Sequence, residues 1–180
     1  MTQLYTHSCF LDHDTGPHHP ERPDRLKAVL RALEAPAFVG LDRLEAPTAT
    51  RVQIERVHPP AQVDGVLQAI PQNGFASIDA DTVVSAASGI AAFHAAGALC
   101  AAIDAVVAGA TPNAFCAVRP PGHHAEPSRA MGFCLFNSVA IGAMQARVAH
   151  GLERVAVIDV DVHHGNGTQA FAWDDPNFFY

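Results

Sequence analysis

Apolar positions along this chain recur with two periods, and their alternation lays out the elements. Gln3–Tyr5 reads as a short strand, followed by a polar loop over Leu11–Arg22 that is dense in His, Pro, Gly and Asp. Pro23 stands at a helix start, and Leu26, Val29, Leu30 and Leu33 repeat at helical spacing through Asp24–Leu33. Pro36 and Ala46-Pro47-Thr48 punctuate the next connections. Thr50–Val57 and Ala61–Ile70 predict two short helices divided by Pro59-Pro60, with a loop over Pro71–Ala80. Ser85–Ala108 predicts a long helix whose many Ala residues admit close packing. Ala114–Val118 reads as a strand, Arg119–Met131 as a loop, and Asn137–Ala149 as a helix stopped at His150-Gly151. Val155–Val162 reads as a buried strand, and Phe178-Phe179-Tyr180 as the opening of another after a turn at Asp175-Pro176-Asn177. This order predicts an α/β protein with a mostly parallel sheet and helices on both faces. A chain that stops as a strand begins is read as residues 1–180 of a larger single domain, cut short.

The strand Val155–Val162 is apolar and β-branched, yet Asp159, Asp161 and His163 interrupt its run at every second place. Strand alternation puts all three on one face. Such a cluster repels itself and is costly to desolvate unless something compensates it, and a divalent metal does so. Carboxylate oxygen with imidazole nitrogen suits zinc. A plain surface edge strand fits badly, because Val157, Ile158, Val160 and Val162 leave too little polar surface.

Pro120-Pro121-Gly122-His123-His124-Ala125 follows a strand directly, where α/β enzymes place catalytic groups. Two adjacent His suit acid–base work: one accepts a proton from a metal-bound water while the other stays charged or donates a hydrogen bond. Each needs a partner on its second ring nitrogen, and Asp159 and Asn166 are available, one for each. Gly165-Asn166-Gly167-Thr168-Gln169-Ala170 fits the letters of a dinucleotide-binding turn. The acidic strand before it opposes a pyrophosphate, so Gly165 and Gly167 are read as letting the chain bend sharply away from a metal.

Composition narrows the partners. Of 180 residues, 49% are hydrophobic and 16% charged, enough for one core. The net charge of −7, from 11 Lys+Arg against 18 Asp+Glu, leaves no basic patch for nucleic acid. Eleven His accompany a single Lys, Lys27, and pairing at His18-His19, His123-His124 and His163-His164 matters more than the count. Cys9, Cys100, Cys116 and Cys134 show no C-x-x-C spacing and read as buried free thiols of a reducing compartment. Met1–Phe10 lacks the features of a signal peptide, so Asn166-Gly167-Thr168 is a chance sequon. Ser85–Ala108 comes nearest to a membrane span but contains His94 and Asp104. A cytoplasmic protein without direct membrane or nucleic-acid contact is expected, with oligomeric state open.

Three motifs together, Arg119–Ala125 (R-P-P-G-H-H-A), Gly132–Asn137 (G-F-C-L-F-N) and Asp159–Thr168 (D-V-D-V-H-H-G-N-G-T), resemble the histone deacetylase family of zinc amidohydrolases. His19–Arg25 (H-P-E-R-P-D-R) resembles the family's first loop, and the likeness runs along essentially the whole chain. The resemblance implies an arginase-like α/β fold, represented by the first half of its domain. It implies Zn²⁺ on Asp161 and His163, with a third ligand beyond Tyr180. His123 and His124 become the tandem pair, with His124 the better general base and acid. Asp159 backs His123 and, with the backbone carbonyls of Asp161 and His163, holds a structural K⁺ or Na⁺. Asn166, where one branch of the family has Asp, orients His124 without adding charge and points to the class II-like branch. Gly132 and Phe133 line an acyl-lysine tunnel, Arg25 lies near an internal channel, and Asp79 or Asp81 is a rim acid. Ser138 departs from a common Asn and His18 from a common Gly.

The activity so implied is zinc-dependent hydrolysis of N-acetyl-lysine in protein or peptide, with a family Tyr as oxyanion donor that Tyr180 stands too near the second motif to be. An acetylpolyamine or other small-amide hydrolase is the enzyme rival, and an inactive fragment or pseudoenzyme acting as a binding module is the rival of another class. With two of its ligands, the 180-residue fragment is expected to bind metal weakly and be inactive.

Overall fold

A computed structural model describes residues 1–180. Strand β1 (Gln3–Thr6) is central in a parallel sheet of order β2-β1-β5, with β2 at Asp42–Glu45 and β5 at Ala114–Cys116. Register pairs Leu4 with Arg43 on one side and with Phe115 on the other. Leu4 and Tyr5 point to opposite faces and are both buried, so β1 is covered on both sides. β2 escaped the sequence reading because its residues, Asp-Arg-Leu-Glu, are largely exposed and carry no apolar alternation. The predicted loop Pro71–Ala80 likewise contains β3 (Phe75–Ser77), which pairs antiparallel with β4 (Val83–Ser85) just beyond it, so the helix predicted from Ser85 begins instead at Ser88.

Local signals set most helix ends. α1 (Cys9–Asp12) is a single turn, and α2 (Pro23–Ala32) starts with Pro in its first turn. A 3₁₀ turn at Pro36–Phe38 leads into β2. α3 (Arg51–Glu55) opens on a reciprocal capping box between Thr50 and Gln53, and α4 (Pro60–Ala69) again on Pro. α5 (Ser88–Val107) is the axis of the molecule, and its Ala and Gly side chains let α6 (Ser138–His150) lie close along it. α6 stops at Gly151, whose φ of 69° is the left-handed cap that a Cβ disfavours. By length and apolarity α5 is able to cross a bilayer, contrary to the sequence reading. Here it is a core helix: Asp104 accepts hydrogen bonds from Gln145 and His150, and His94 bonds the Ala46 carbonyl.

Two hydrophobic cores flank α5. One gathers Leu4, Phe10, Leu26, Ala95 and Ala98 around the sheet, and the other Ile54, Val63, Leu135, Phe136 and Ile141 beneath α6. A separate parallel pair, β6 (Val155–Ala156) and β7 (Phe178–Phe179), carries α7 (Asn166–Ala172) between its strands. All four Cys are free thiols; Cys9, Cys100 and Cys134 are buried and Cys116 is partly so.

The predicted strand Val155–Val162 is corrected to two residues. β7 supplies ladder partners only as far as Val157, whose N–H donates to Phe179 O at 2.8 Å. Beyond it each acidic side chain takes the N–H two residues on: Asp161 N–H donates to Asp159 Oδ1 at 3.0 Å, and His163 N–H to Asp161 Oδ1 at 2.8 Å. These local bonds compete with a sheet ladder and win where no neighbour strand is paired. Ile158, Val160 and Val162 are consequently exposed, at 74%, 93% and 91%.

Candidate active site

The loop from Arg119 to Asn137 is anchored at both ends by buried polar groups. At its start the Arg119 guanidinium forks onto Glu21, with Nε to Oε1 at 2.5 Å and Nη2 to Oε2 at 2.6 Å. Arg119 Nη1 also donates to the carbonyls of Phe10 and His13 at 2.6 and 2.9 Å. Burial pushes the Glu21 carboxyl up, but hydrogen bonds from His13 and Arg119 and the Arg119 charge outweigh it and bring it to about 2. At its end, Asn137 Oδ1 caps α6 by accepting Ala140 N–H, while Nδ2 donates to Ala125 O at 3.3 Å and Thr168 Oγ1 at 3.1 Å. His58 accepts Asn137 N–H at Nε2 and donates from Nδ1 to Pro127 O; burial pushes its pKa down and keeps it neutral.

This frame presents the tandem pair. His123 Nδ1 lies 2.8 Å from Asp159 Oδ2, and His124 Nδ1 lies 2.7 Å from Asn166 Oδ1. Both partners are acceptors, so each Nδ1 carries the hydrogen and each Nε2 keeps a lone pair in the neutral ring. The two rings sit 4.1 Å apart, and His163 stands edge-on to His124 at 5.9 Å. Partial burial pushes the Asp159 carboxyl up, but bonds from His123, Asp161 N–H and the Tyr180 hydroxyl hold it below the usual carboxylate range. Asp161 is lowered first by the backbone N–H of His163 and then by its ring.

Asp159, Asp161 and His163 thus come together through local turns rather than one face of a strand. Asp161 Oδ1 also meets His163 Nδ1 at 3.0 Å, so an oxygen and a nitrogen donor are already side by side in an open cleft of about 540 Å³. Gly165 and Gly167 serve close approach rather than a bend. A Cβ at 167 would run into the Ala125 carbonyl, and one at 165 would come within 2.8 Å of Asp159 Oδ2 and also press on Tyr180. α7 is thereby held against the His pair, with Thr168 N–H donating to His123 O at 3.1 Å.

Of the remaining predicted residues, Gly132 reaches the His pair directly. Gly132 and Phe133 turn with φ of 57° and 69°; Gly132 packs against the His124 ring, and Phe133 meets His19 edge-on at 4.9 Å. Thr82 Oγ1 accepts Phe133 N–H, tying the β3–β4 hairpin to that turn. Asp79 is spent inside the hairpin, accepting the N–H groups of Asp81 and Thr82, whereas Asp81 is exposed. Arg25 lines a cleft of about 240 Å³ together with Glu21 and Arg119.

Sequence reasoning missed five contributors: Glu126, Asn137, Thr168, His58 and Tyr180. Asn137 alone carried a readable signal, an Asn directly before an apolar helical run. Tyr180 joins by bridging Gly165 N–H (2.9 Å) and Asp159 Oδ2 (3.1 Å).

A second cluster, His7, Cys9 and His94, brings its nitrogen and sulfur atoms within 4.8 Å of one another. Its rings are stacked 4.2 Å apart, which keeps their lone pairs in nearly parallel planes. His94 uses both nitrogens on Ala46 O and Thr48, and His7 Nδ1 accepts Cys9 N–H. The cluster ties the end of β1 to α5.

Comparison with known proteins gives the family and the fold. Residues 19–180 match the family model described as the histone deacetylase domain. The chain is 39% identical over 194 residues to histone deacetylase 14, chloroplastic, of Arabidopsis thaliana, covering 98% of this chain and 46% of that protein. It is 43% identical over 151 residues to a histone deacetylase-like amidohydrolase of Pseudomonas aeruginosa, covering 84% and 39%. The crystal structure of the HDA15 HD domain superposes with a TM-score of 0.93 at 34% identity, covering 99% of this chain and 52% of that one. The chain therefore spans about half the length of the proteins it matches. It belongs to the histone deacetylase family and carries an arginase-like α/β fold.

Proposed function

We propose that this chain provides the acid–base half of a deacetylase centre that hydrolyses N-acetyl-lysine, or a related N-acyl amide, to the free amine and acetate. The observation that carries the reading is the paired tautomer control: Asp159 on His123 and Asn166 on His124 leave two Nε2 atoms free and adjacent.

Asp161 and His163 are the residues that would hold Zn²⁺, since their donor atoms already meet and match its chemistry. Bound there, the ion would polarise the acyl carbonyl and acidify a water. His124 Nε2 accepts the proton of the attacking water. The His124 imidazolium then returns that proton to the leaving amine as the C–N bond breaks, while the Asp159 carboxylate complements a proton on His123, which donates a hydrogen bond. Asp159 with the carbonyls of Asp161 and His163 is the proposed seat of a structural K⁺ or Na⁺. Gly132 and Phe133, turned beside His124, form the wall along which an acyl-lysine chain would enter. The fit of a polyamine in place of lysine depends on rim acids such as the exposed Asp81.

A module that folds and binds without turnover is the second reading, and absence of turnover by the full gene product would favour it. A cytoplasmic location is proposed, in keeping with four cysteines that are all free thiols. The test is release of acetate from an acetyl-lysine peptide and from an acetylated polyamine by the full gene product, with and without Zn²⁺. Zinc-dependent turnover lost in H124A supports the enzyme, and no hydrolysis of any acyl amide overturns it.

A further inference from the structure

We propose that Glu126 is a positioning residue of the tandem pair, acting through Asn166 to lock His124 in the tautomer with its lone pair at Nε2. This role rests on the reading of His124 as the proton acceptor and adds how its tautomer is set.

A neutral imidazole presents a base at one nitrogen only, and its partner on the other nitrogen decides which. The partner of His124 is the side-chain oxygen of Asn166, 2.7 Å from Nδ1. An amide has an acceptor end and a donor end of nearly equal shape. Rotated by half a turn, Asn166 would present NH₂ to the ring, and the lone pair would be drawn to Nδ1, away from the reacting side. Nothing in the Asn166–His124 contact alone prevents that rotation.

The choice is made at the other end of the amide. Asn166 Nδ2 lies 2.9 Å from Glu126 Oε1 and 3.5 Å from both His124 O and Met131 Sδ, three acceptors. Glu126 is the charged one among them and the closest. Rotation would set the Asn166 oxygen against the Glu126 carboxylate with no proton between them. Losing a hydrogen bond to a charged group biases the two orientations on the order of 10- to 100-fold. Glu126 is itself held in place, since its N–H donates to Arg129 O at 2.9 Å and its carbonyl accepts Arg129 N–H at 3.3 Å. It follows the buried Ala125 and stands two residues from His124, on the same loop. A carboxylate at position 166 would accept from His124 with either oxygen and would need no such guide. The requirement for Glu126 is therefore tied to the amide at 166.

Histidine tautomers in the metal-free 180-residue chain are read by ¹⁵N NMR at alkaline pH, with the His124 signals assigned by their loss in H124Q. The expected result is a single Nδ1–H tautomer for His124, converted to a mixture in E126L and retained in E126Q, whose amide oxygen still accepts from Asn166. The double variant E126L/N166D returns to the single tautomer. A single tautomer persisting in folded E126L overturns the proposal. If E126L does not fold, the wild type and E126Q decide: a mixed tautomer in either overturns it. No turnover is measured, so inactivity toward acyl amides would count against the proposed function and leave this result standing.

Discussion

His123 and Asp159 are separated by 36 positions in the chain, yet Nδ1 of one lies 2.8 Å from Oδ2 of the other. The contact joins the loop after β5 to the segment after β6, two pieces of different sheets, and the Tyr180 hydroxyl donates to the same oxygen. Replacing this carboxylate changes the charge beside His123 while leaving a hydrogen-bonding shape. D159N is expected to lower kcat of the full gene product about 100-fold or more, with a much smaller change in KM. Steady-state kinetics on an acetyl-lysine peptide checks it, and unchanged kcat would remove Asp159 from the reaction.

Metal addition tests the donor pair without any substrate. Zn²⁺ at about 100 times its Kd adds about 2.7 kcal/mol of stability to the folded chain. Melting curves should therefore rise by several degrees with Zn²⁺, fall back with a chelator, and respond little in D161A or H163A. An equal rise in both variants would place the ion elsewhere.

The Glu21–Arg119 fork gives the fold an acid limit. The Glu21 carboxyl is lowered to about 2 in the folded state from an ordinary 4.5, so the unfolded chain binds its proton first as pH falls. The stabilisation is complete above about pH 4.5 and is lost progressively toward about pH 2. E21Q leaves Arg119 buried without a counter-charge and should cost about 3–5 kcal/mol at neutral pH. Its urea midpoint, compared with wild type between pH 7 and pH 3, should converge on the acid side; parallel curves would contradict the assignment.

Two substitutions separate the framework from the chemistry. N137A removes the cap of α6 and leaves the Ala125 carbonyl and Thr168 hydroxyl without their buried partner, an expected loss of about 2–4 kcal/mol. G167A drives a methyl into the Ala125 carbonyl, with an expected loss of about 1–3 kcal/mol or more. Chemical denaturation measures both, and a neutral G167A would show that α7 is free to shift away from the His pair.

What the sequence by itself determined is local chemistry. Pro23 at a helix start and His150-Gly151 at a helix end are local signals, and both hold in the structure. Asp159, Asp161 and His163 stood out because charged side chains are costly to place in an apolar run, and His123-His124 because the pair sits in a Pro-Pro-Gly loop directly after a strand. What only the tertiary structure decided is which partner each group meets. β2 lacked a hydrophobic period and exists through pairing with the distant β1, and β3 and β4 exist through pairing with each other. Val155–Val162 had the period of a strand but no neighbour to bond beyond Val157, so its carboxylates closed turns on the adjacent N–H groups instead. Glu126 carried no signal at all, because its place depends on an amide 40 residues away whose orientation exists only once the loops are packed.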